Sequence, residues 1–199
     1  LMAFSSLFRA PNVDQLQKSR NIKGLIKALD YKKDWHVREG AARALGQIQD
    51  PSAIKPLTEL LSDFPYTIRE SASQSLASYG DDAVPDLVAC MSEWEARKYA
   101  AEALVQIGEP SVKMLADVLK KGLFKGVKRV AAWILSQIKS EAAIEALSYS
   151  IMDQDIDVRR ASKFALLAIG PSVQEQLMEA VKTKGQPSEE AKEVFEYFK

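Results

Sequence analysis

The sequence predicts an all-α protein, a right-handed α-α superhelix of about five to six two-helix repeats. Three observations predict it. A basic residue recurs as Arg38, Arg69, Arg97, Lys128 and Arg159, at intervals of 31, 28, 31 and 31. Seven residues after each stands a leucine: Leu45, Leu76, Leu104, Leu135 and Leu166. A second apolar stripe of helical period then follows, the mark of units that bury their oily faces only by stacking on one another.

Residues 1–20 read as an N-terminal segment with room for a short capping helix, ahead of a single repeat domain over 21–199. A lone second-type helix, here helix B, opens the array around Ile22 to Leu29. Each helix A then carries one stripe at 100° per residue. Its members are Val37, Ala41, Leu45 and Ile48 in the first copy, and Val158, Ser162, Leu166 and Ile169 in the last. Helix B follows with Ile54, Leu57, Leu60 and Leu61, then Val84, Leu87, Cys90 and Met91, then Val112, Leu115, Val118 and Leu119, then Ile144, Leu147 and Ile151. Pro51, Pro110 and Pro171 suit a first helical position, where a missing N–H costs nothing, and Asp50 and Ser140 suit N-caps. A lone helix A from about Ser188, with Ala191, Phe195 and Phe198 on its stripe, closes the array. The residues flanking the stripe are mostly small, Gly40, Ser71, Ala42, Ser73 and Ala101 among them, so adjacent A helices can approach to about 8–10 Å.

The totals suit a soluble domain, with 47% hydrophobic and 27% charged residues. Lys plus Arg equals Asp plus Glu at 27 each, so no overall field draws the chain to nucleic acid or anionic lipid. The charge is sectored: +4 over residues 1–50, −6 over 51–110, +4 over 111–170 and −2 over 171–199. The one cysteine, Cys90, falls on an apolar stripe and points to a reducing compartment. The opening LMAFSSLF lacks the basic start and long apolar run of a signal peptide, and no run of eighteen apolar residues occurs, so a cytoplasmic protein with no membrane association is expected.

The stretch DWHVREGAARALGQIQDPSAIKPLTELL, with DIDVRRASKFALLAIGPS as a later copy, resembles the short HEAT-like repeat named after the phycobilisome lyases. The likeness covers about residues 21–199. It implies that an Asp and an Arg in each repeat tie neighbouring units by hydrogen bonds. Asp34 with Arg38 and Asp155 with Arg159 match that pattern fully. Glu93 stands for the Asp before Arg97, while Pro65 and Phe124 replace it before Arg69 and Lys128, so the polar ladder is interrupted. Repeats of this kind serve in bilin attachment, in phycobilisome turnover and in proteins that only bind partners.

A search for chemistry returns little. A single His36 and a single Cys90 cannot supply a converging metal-ligand set, and the paired His-Glu motifs of the di-iron HEAT-like hydroxylases are missing. No nucleophile and base group stands out. Asp81 with Asp82, and Glu189 with Glu190, sit at helix starts and complement the helix dipole. No Gly-rich phosphate cradle occurs, and the mixed charges of helix B would gain little from counterion release, so no nucleic-acid partner is expected. No metal site and no cofactor is therefore expected.

Two surfaces remain as candidates for binding. The expected convex patch comprises Trp133, Phe164, Arg129, Arg160 and Leu167, an aromatic and arginine composition typical of protein interfaces. The expected concave face offers Lys55, Glu59, Lys113, Asp117 and Tyr149. Arg38, Arg69, Arg97 and Arg159, with Asp34 and Asp155, are expected to hold the repeats together. The function expected is a non-enzymatic scaffold for a protein partner, with self-association as a second use of the patch. The alternative is a lyase-type protein that attaches, removes or escorts an open-chain tetrapyrrole on an antenna protein. A bilin carries propionates and an extended π system, so its binder should place Arg or Lys near aromatics.

Overall fold

The structure, a computed structural model, describes residues 10–121 and 124–199, and these contain thirteen α-helices and no strand. The LMAFSSLF stretch and Leu123 of the LFKGVK connection lie outside the described residues. The A helices are α3 (Trp35–Ile48), α5 (Tyr66–Ala77), α7 (Trp94–Ile107), α9 (Lys125–Ile138), α11 (Ile156–Ile169) and α13 (Glu189–Tyr197). The B helices are α2 (Ile22–Leu29), α4 (Ile54–Glu59), α6 (Val84–Cys90), α8 (Glu109–Lys121), α10 (Glu141–Ser150) and α12 (Gln174–Lys184). A short α1 (Val13–Lys18) packs on α2 and α3, so the opening helix B is not alone and the array holds six pairs followed by α13.

The helices stack in two layers. α3, α5, α7, α9, α11 and α13 pack each on the next, as do α4, α6, α8, α10 and α12 in the second layer. The contacts run mainly between successive repeats, as an open superhelix requires, and the turn Leu60–Ser62 after α4 also reaches α7. All five matched leucines are 0% exposed, as are Ala41, Ala72, Ala100, Ala131 and Ser162. The B stripes are buried in the same way, except that Val118 is half-buried. In α13 the stripe is turned from the expectation: Ala191 and Val194 are buried, while Phe195 and Phe198 only lean on the core.

Close approach of the A helices is visible at Gly46, where an added Cβ would lie 2.8 Å from the Ser75 Cα on α5. Serines in the small flanking positions do more than save space. Ser75 Oγ donates to the Ala42 carbonyl at 2.9 Å, and Ser73 Oγ to the Tyr99 carbonyl at 2.8 Å. Buried hydroxyls need acceptors, and these find them on an adjacent A helix, α3 for Ser75 and α7 for Ser73. Tyr79 does likewise, donating to the Leu45 carbonyl at 2.9 Å, and burial pushes its phenol up to about 12, helped by the Asp50 charge.

The ends of the A helices also repeat. The residue after each stripe's last member has positive φ, at Gln49 (58°), Gly80 (57°), Gly108 (74°), Lys139 (57°) and Gly170 (111°). This left-handed residue turns the chain into helix B, and glycine holds it in three of five copies. The prolines sit differently from expectation. Pro51 and Pro171 open 3-10 turns that lead into α4 and α12, and Pro110 is the second residue of α8. Asp50 caps the first of these turns by accepting from Ser52 N–H at 3.0 Å, and Ser140 caps α10 by accepting from Ala143 N–H at 3.2 Å.

Candidate functional site

The residues that tie the repeats together do so differently from the resemblance. Asp34 and Asp155 are N-caps of their own helices, accepting from His36 N–H and Asp157 N–H at 2.9 Å each, and Asp155 also stands 3.9 Å from Lys125 of the preceding repeat, a tie to a lysine and not to an arginine. Arg38 instead pairs with the Asp63 carboxylate and donates to the Phe64 carbonyl at 2.9 Å, both in the passage from α4 to α5. Arg97 turns back onto the carbonyls of Met91 (2.6 Å) and Ser92 (3.1 Å). Arg159 makes the same backward contacts to Asp153 (3.0 Å) and Gln154 (3.1 Å), and adds Glu190 of α13 at 2.8 Å. Arg69 lies 5.1 Å from the centre of the Tyr99 ring.

Asp63 and Glu190 are thus the acids of these ties, and sequence reading missed the first and gave the second to the helix dipole. Burial alone raises both carboxyls and is the largest single influence. The hydrogen bond from Arg38 (for Asp63) or Arg159 (for Glu190), a backbone N–H and the nearby cations outweigh it together and hold both below their ordinary values. The signal that could have found Glu190 was its spacing, 31 residues after Arg159.

On the outer face of the A layer, Trp133 and Phe164 are exposed, with Arg129 and Arg160 beside them in solvent. Leu167 departs from the expected patch, being half-buried and packed on the core. The two aromatics also belong to different surroundings. Lys163 Nζ covers the Phe164 ring at 5.2 Å, whereas Trp133 lines a depression of about 430 Å³ with Trp94, between α7 and α9.

A broad concavity lies on the outer face of the B layer. It holds about 660 Å³, between α8 and α10, and is reached by Lys184 at the end of α12. Lys113, Ala116 and Lys120 line it from α8 at i, i+3 and i+7; Ala142, Glu145, Ala146 and Tyr149 line it from α10 with the same period. Val112 and Met152 complete an apolar floor, and Glu109 and Asp153 stand at its rim. Of the residues expected on this face, Lys113 and Tyr149 come together here. Lys55 and Glu59 lie further along the layer on α4, and Asp117 faces Lys121 at 3.7 Å outside the groove. Lys120 was legible as the residue two turns after Lys113 on the same face. It is presented because α8 runs 13 residues, against 6 for α4 and 7 for α6. Lys184 had no signal in the sequence, since only stacking brings α12 beside α10.

The groove carries three ammonium groups and three carboxylates around apolar and aromatic surface, so it can take a planar, partly apolar molecule that bears both carboxylates and N–H donors. Nothing near it supplies a thiol nucleophile: Cys90 is buried, and burial first, then Glu93 and Asp86, push its thiol up to about 11. Among the described residues no helix is long and apolar enough to cross a membrane.

An array of stacked helix pairs with this repeat defines a class, and the comparison with known families agrees. The family described as HEAT repeats matches residues 13–77, 55–123 and 84–168, and the chain belongs to it. The chain is 30% identical over 178 residues to the phycocyanobilin lyase subunit alpha of Picosynechococcus sp. (strain ATCC 27264 / PCC 7002 / PR-6), covering 78% of this chain and 66% of that protein. It is 36% identical over 103 residues to the protein of the same name from Synechococcus elongatus (strain ATCC 33912 / PCC 7942 / FACHB-805), covering 48% of this chain and 36% of that one. The chain therefore spans just under two thirds of the first relative and about a third of the second. The solved complex of CpcE and CpcF of phycocyanin lyase from Nostoc sp. PCC7120 is similar at a TM-score of 0.43 and 21% identity, covering 92% of this chain and 85% of that one. The resemblance to lyase-type HEAT-like repeats is borne out by the repeat match and the two relatives. The expectation of a non-enzymatic scaffold is overturned by the same relatives, both of which are named as subunits of a lyase.

Proposed function

We propose that the chain is a bilin lyase-type protein that binds an open-chain tetrapyrrole in the B-layer groove and presents it for attachment to, or removal from, an antenna protein. It does so together with a second protein chain, in keeping with the subunit naming of its relatives. The observation that carries this reading is the groove itself, three lysines around an apolar floor. A volume of about 660 Å³ suits one pigment-sized ligand. Lys113, Lys120 and Lys184 face the propionates, Tyr149 and Met152 lie against the π system, and Glu145 and Asp153 accept from pyrrole N–H groups. The chain's own contribution is binding and orientation, which by themselves lower a bimolecular barrier.

Titrating the protein with phycocyanobilin and following the visible absorbance tests the reading. A saturable spectral change is expected, and Lys113→Ala or Lys184→Ala should each raise Kd about fivefold, the equivalent of about 1 kcal/mol for a solvent-exposed ion pair. Lys55→Ala, on the same layer but outside the groove, should leave Kd unchanged. No spectral change, or equal loss in all three variants, would refute the assignment.

A further inference from the structure

We infer that the seam between α7 and α9 on the outer face of the A layer is a second binding surface, built to take an amphipathic helix with acidic flanks from a partner protein. This seam lies on the opposite layer from the pigment groove and shares no residue with it.

The five seams between successive A helices differ in what closes them. At α3 and α5, Ser71 Oγ donates to Glu39 at 3.3 Å and Arg43 pairs with the same carboxylate. At α5 and α7 the Tyr99 ring fills the space, with Arg69 stacked on it. Lys125 bridges α9 to Asp157 of α11 at 2.8 Å, and Lys163 bridges α11 to Glu193 of α13 at 2.6 Å. Among the described residues no side-chain polar contact bridges α7 to α9. The seam there is floored by Ala101 and Val130 and walled by Trp94 and Trp133, leaving the depression of about 430 Å³.

Two of the chain's three tryptophans therefore stand in solvent across an open trench, 80% exposed at Trp94 and 48% at Trp133. Rigid indoles flanking a preformed depression are the usual anchors of protein recognition. The α7 wall runs from Trp94 to Glu102, about 12 Å along the helix, which accommodates a row of side chains at i, i+4 and i+7 from a docked helix.

The charges around the trench select the partner. Arg97 and Lys98 line it, Arg129 stands one turn before Trp133 on the same face of α9, and Arg160 lies beside Arg129, both acting on Asp157. The one acid in the lining, Glu102, pairs with Lys98 at 3.7 Å, so the excess positive charge around the trench is that of Arg97, Arg129 and Arg160. Carboxylates flanking the apolar ridge of an incoming helix meet complementary charge here, and lysines meet repulsion.

Two synthetic 18-residue helical peptides serve as probes, with an identical leucine ridge flanked by glutamates in one and lysines in the other. Tryptophan emission should shift to the blue and saturate with the glutamate peptide. The lysine peptide should bind at least tenfold more weakly at low salt. Trp94→Ala with Trp133→Ala should weaken the glutamate peptide at least tenfold, as read by peptide fluorescence, and Arg129→Glu should weaken it while leaving both indoles in place. An unchanged phycocyanobilin titration in these variants separates loss of this surface from loss of the groove. Equal binding of the two peptides, or undiminished binding by the variants, would overturn the inference. So would a dimer in sedimentation that the double variant dissolves, because the occupant would then be a second copy of the chain.

Discussion

Replacing Gly46 with alanine sets two known effects against each other. In a helix interior the change normally stabilises by about 0.5–1 kcal/mol, because glycine loses more backbone freedom on folding. At this position the new methyl carbon would lie 2.7 Å from Ser75 Cβ and 2.8 Å from Ser75 Cα, against the 3.4 Å or more of ordinary contact. Backbone cannot swing aside as a side-chain tip can, so α3 and α5 must separate, at a cost of about 1–3 kcal/mol for an overpacked core. Combining those ranges leaves a loss of up to about 2.5 kcal/mol, centred a little above about 1 kcal/mol. Gly126, in the first turn of α9, is the control: a Cβ there meets nothing within 4 Å, and Gly126→Ala should leave stability equal or improved. Thermal melts by circular dichroism of the wild type and both variants check the signs. Because a repeat array can unfold in parts, hydrogen exchange should also show the loss concentrated in α3 and α5. A Gly46→Ala protein as stable as the wild type would refute the close-approach account of how the A layer packs.

Four further outcomes follow from particular contacts. Glu190 has its folded pKa held below the 4.5 of the free side chain, so its contribution is full above that value and is lost as pH falls through the lower, folded value. Glu190→Gln should lower neutral-pH stability by about 1–2 kcal/mol and flatten the acid limb of the stability curve, measured by urea unfolding from pH 7 to 2.5. Lys139→Gly should stabilise by about 0.5–1 kcal/mol, since Lys139 holds a left-handed conformation that glycine adopts freely; a chemical melt checks it. Leu104→Ala, at a position 0% exposed, should cost about 2–5 kcal/mol, again by chemical melt. Cys90 should react with a thiol reagent at pH 8 far more slowly in the native protein than in denaturant, because its thiol pKa of about 11 leaves little thiolate.

Much of the fold was legible because one pattern was written five times over. The leucines at 45, 76, 104, 135 and 166 could be read as buried from their spacing alone, and every one is. The capping roles of Asp50 and Ser140 were equally local and equally readable. Reading failed where a residue's partner lies in another repeat. Asp34 matched the ladder motif and serves only its own helix, while Asp63 and Glu190 carried no motif and make the ties. The binding surfaces divide the same way: Lys113 and Tyr149 were legible on their helices, whereas Trp94 was overlooked as the partner of Trp133, and Lys184 reaches the groove only through the stacking of α12 on α10.

By itself the sequence determined the helical period, the two stripes per repeat and hence an open stack, because burial of apolar residues at regular intervals is a property of each helix and its immediate neighbours. Tertiary structure alone decided which seams are bridged and which stay open, which cations meet around the B-layer groove, and which carboxylates hold the arginines. Those outcomes depend on the rotation of one repeat against the next. That rotation is the summed result of many small side-chain volumes across an interface, and no single residue encodes it.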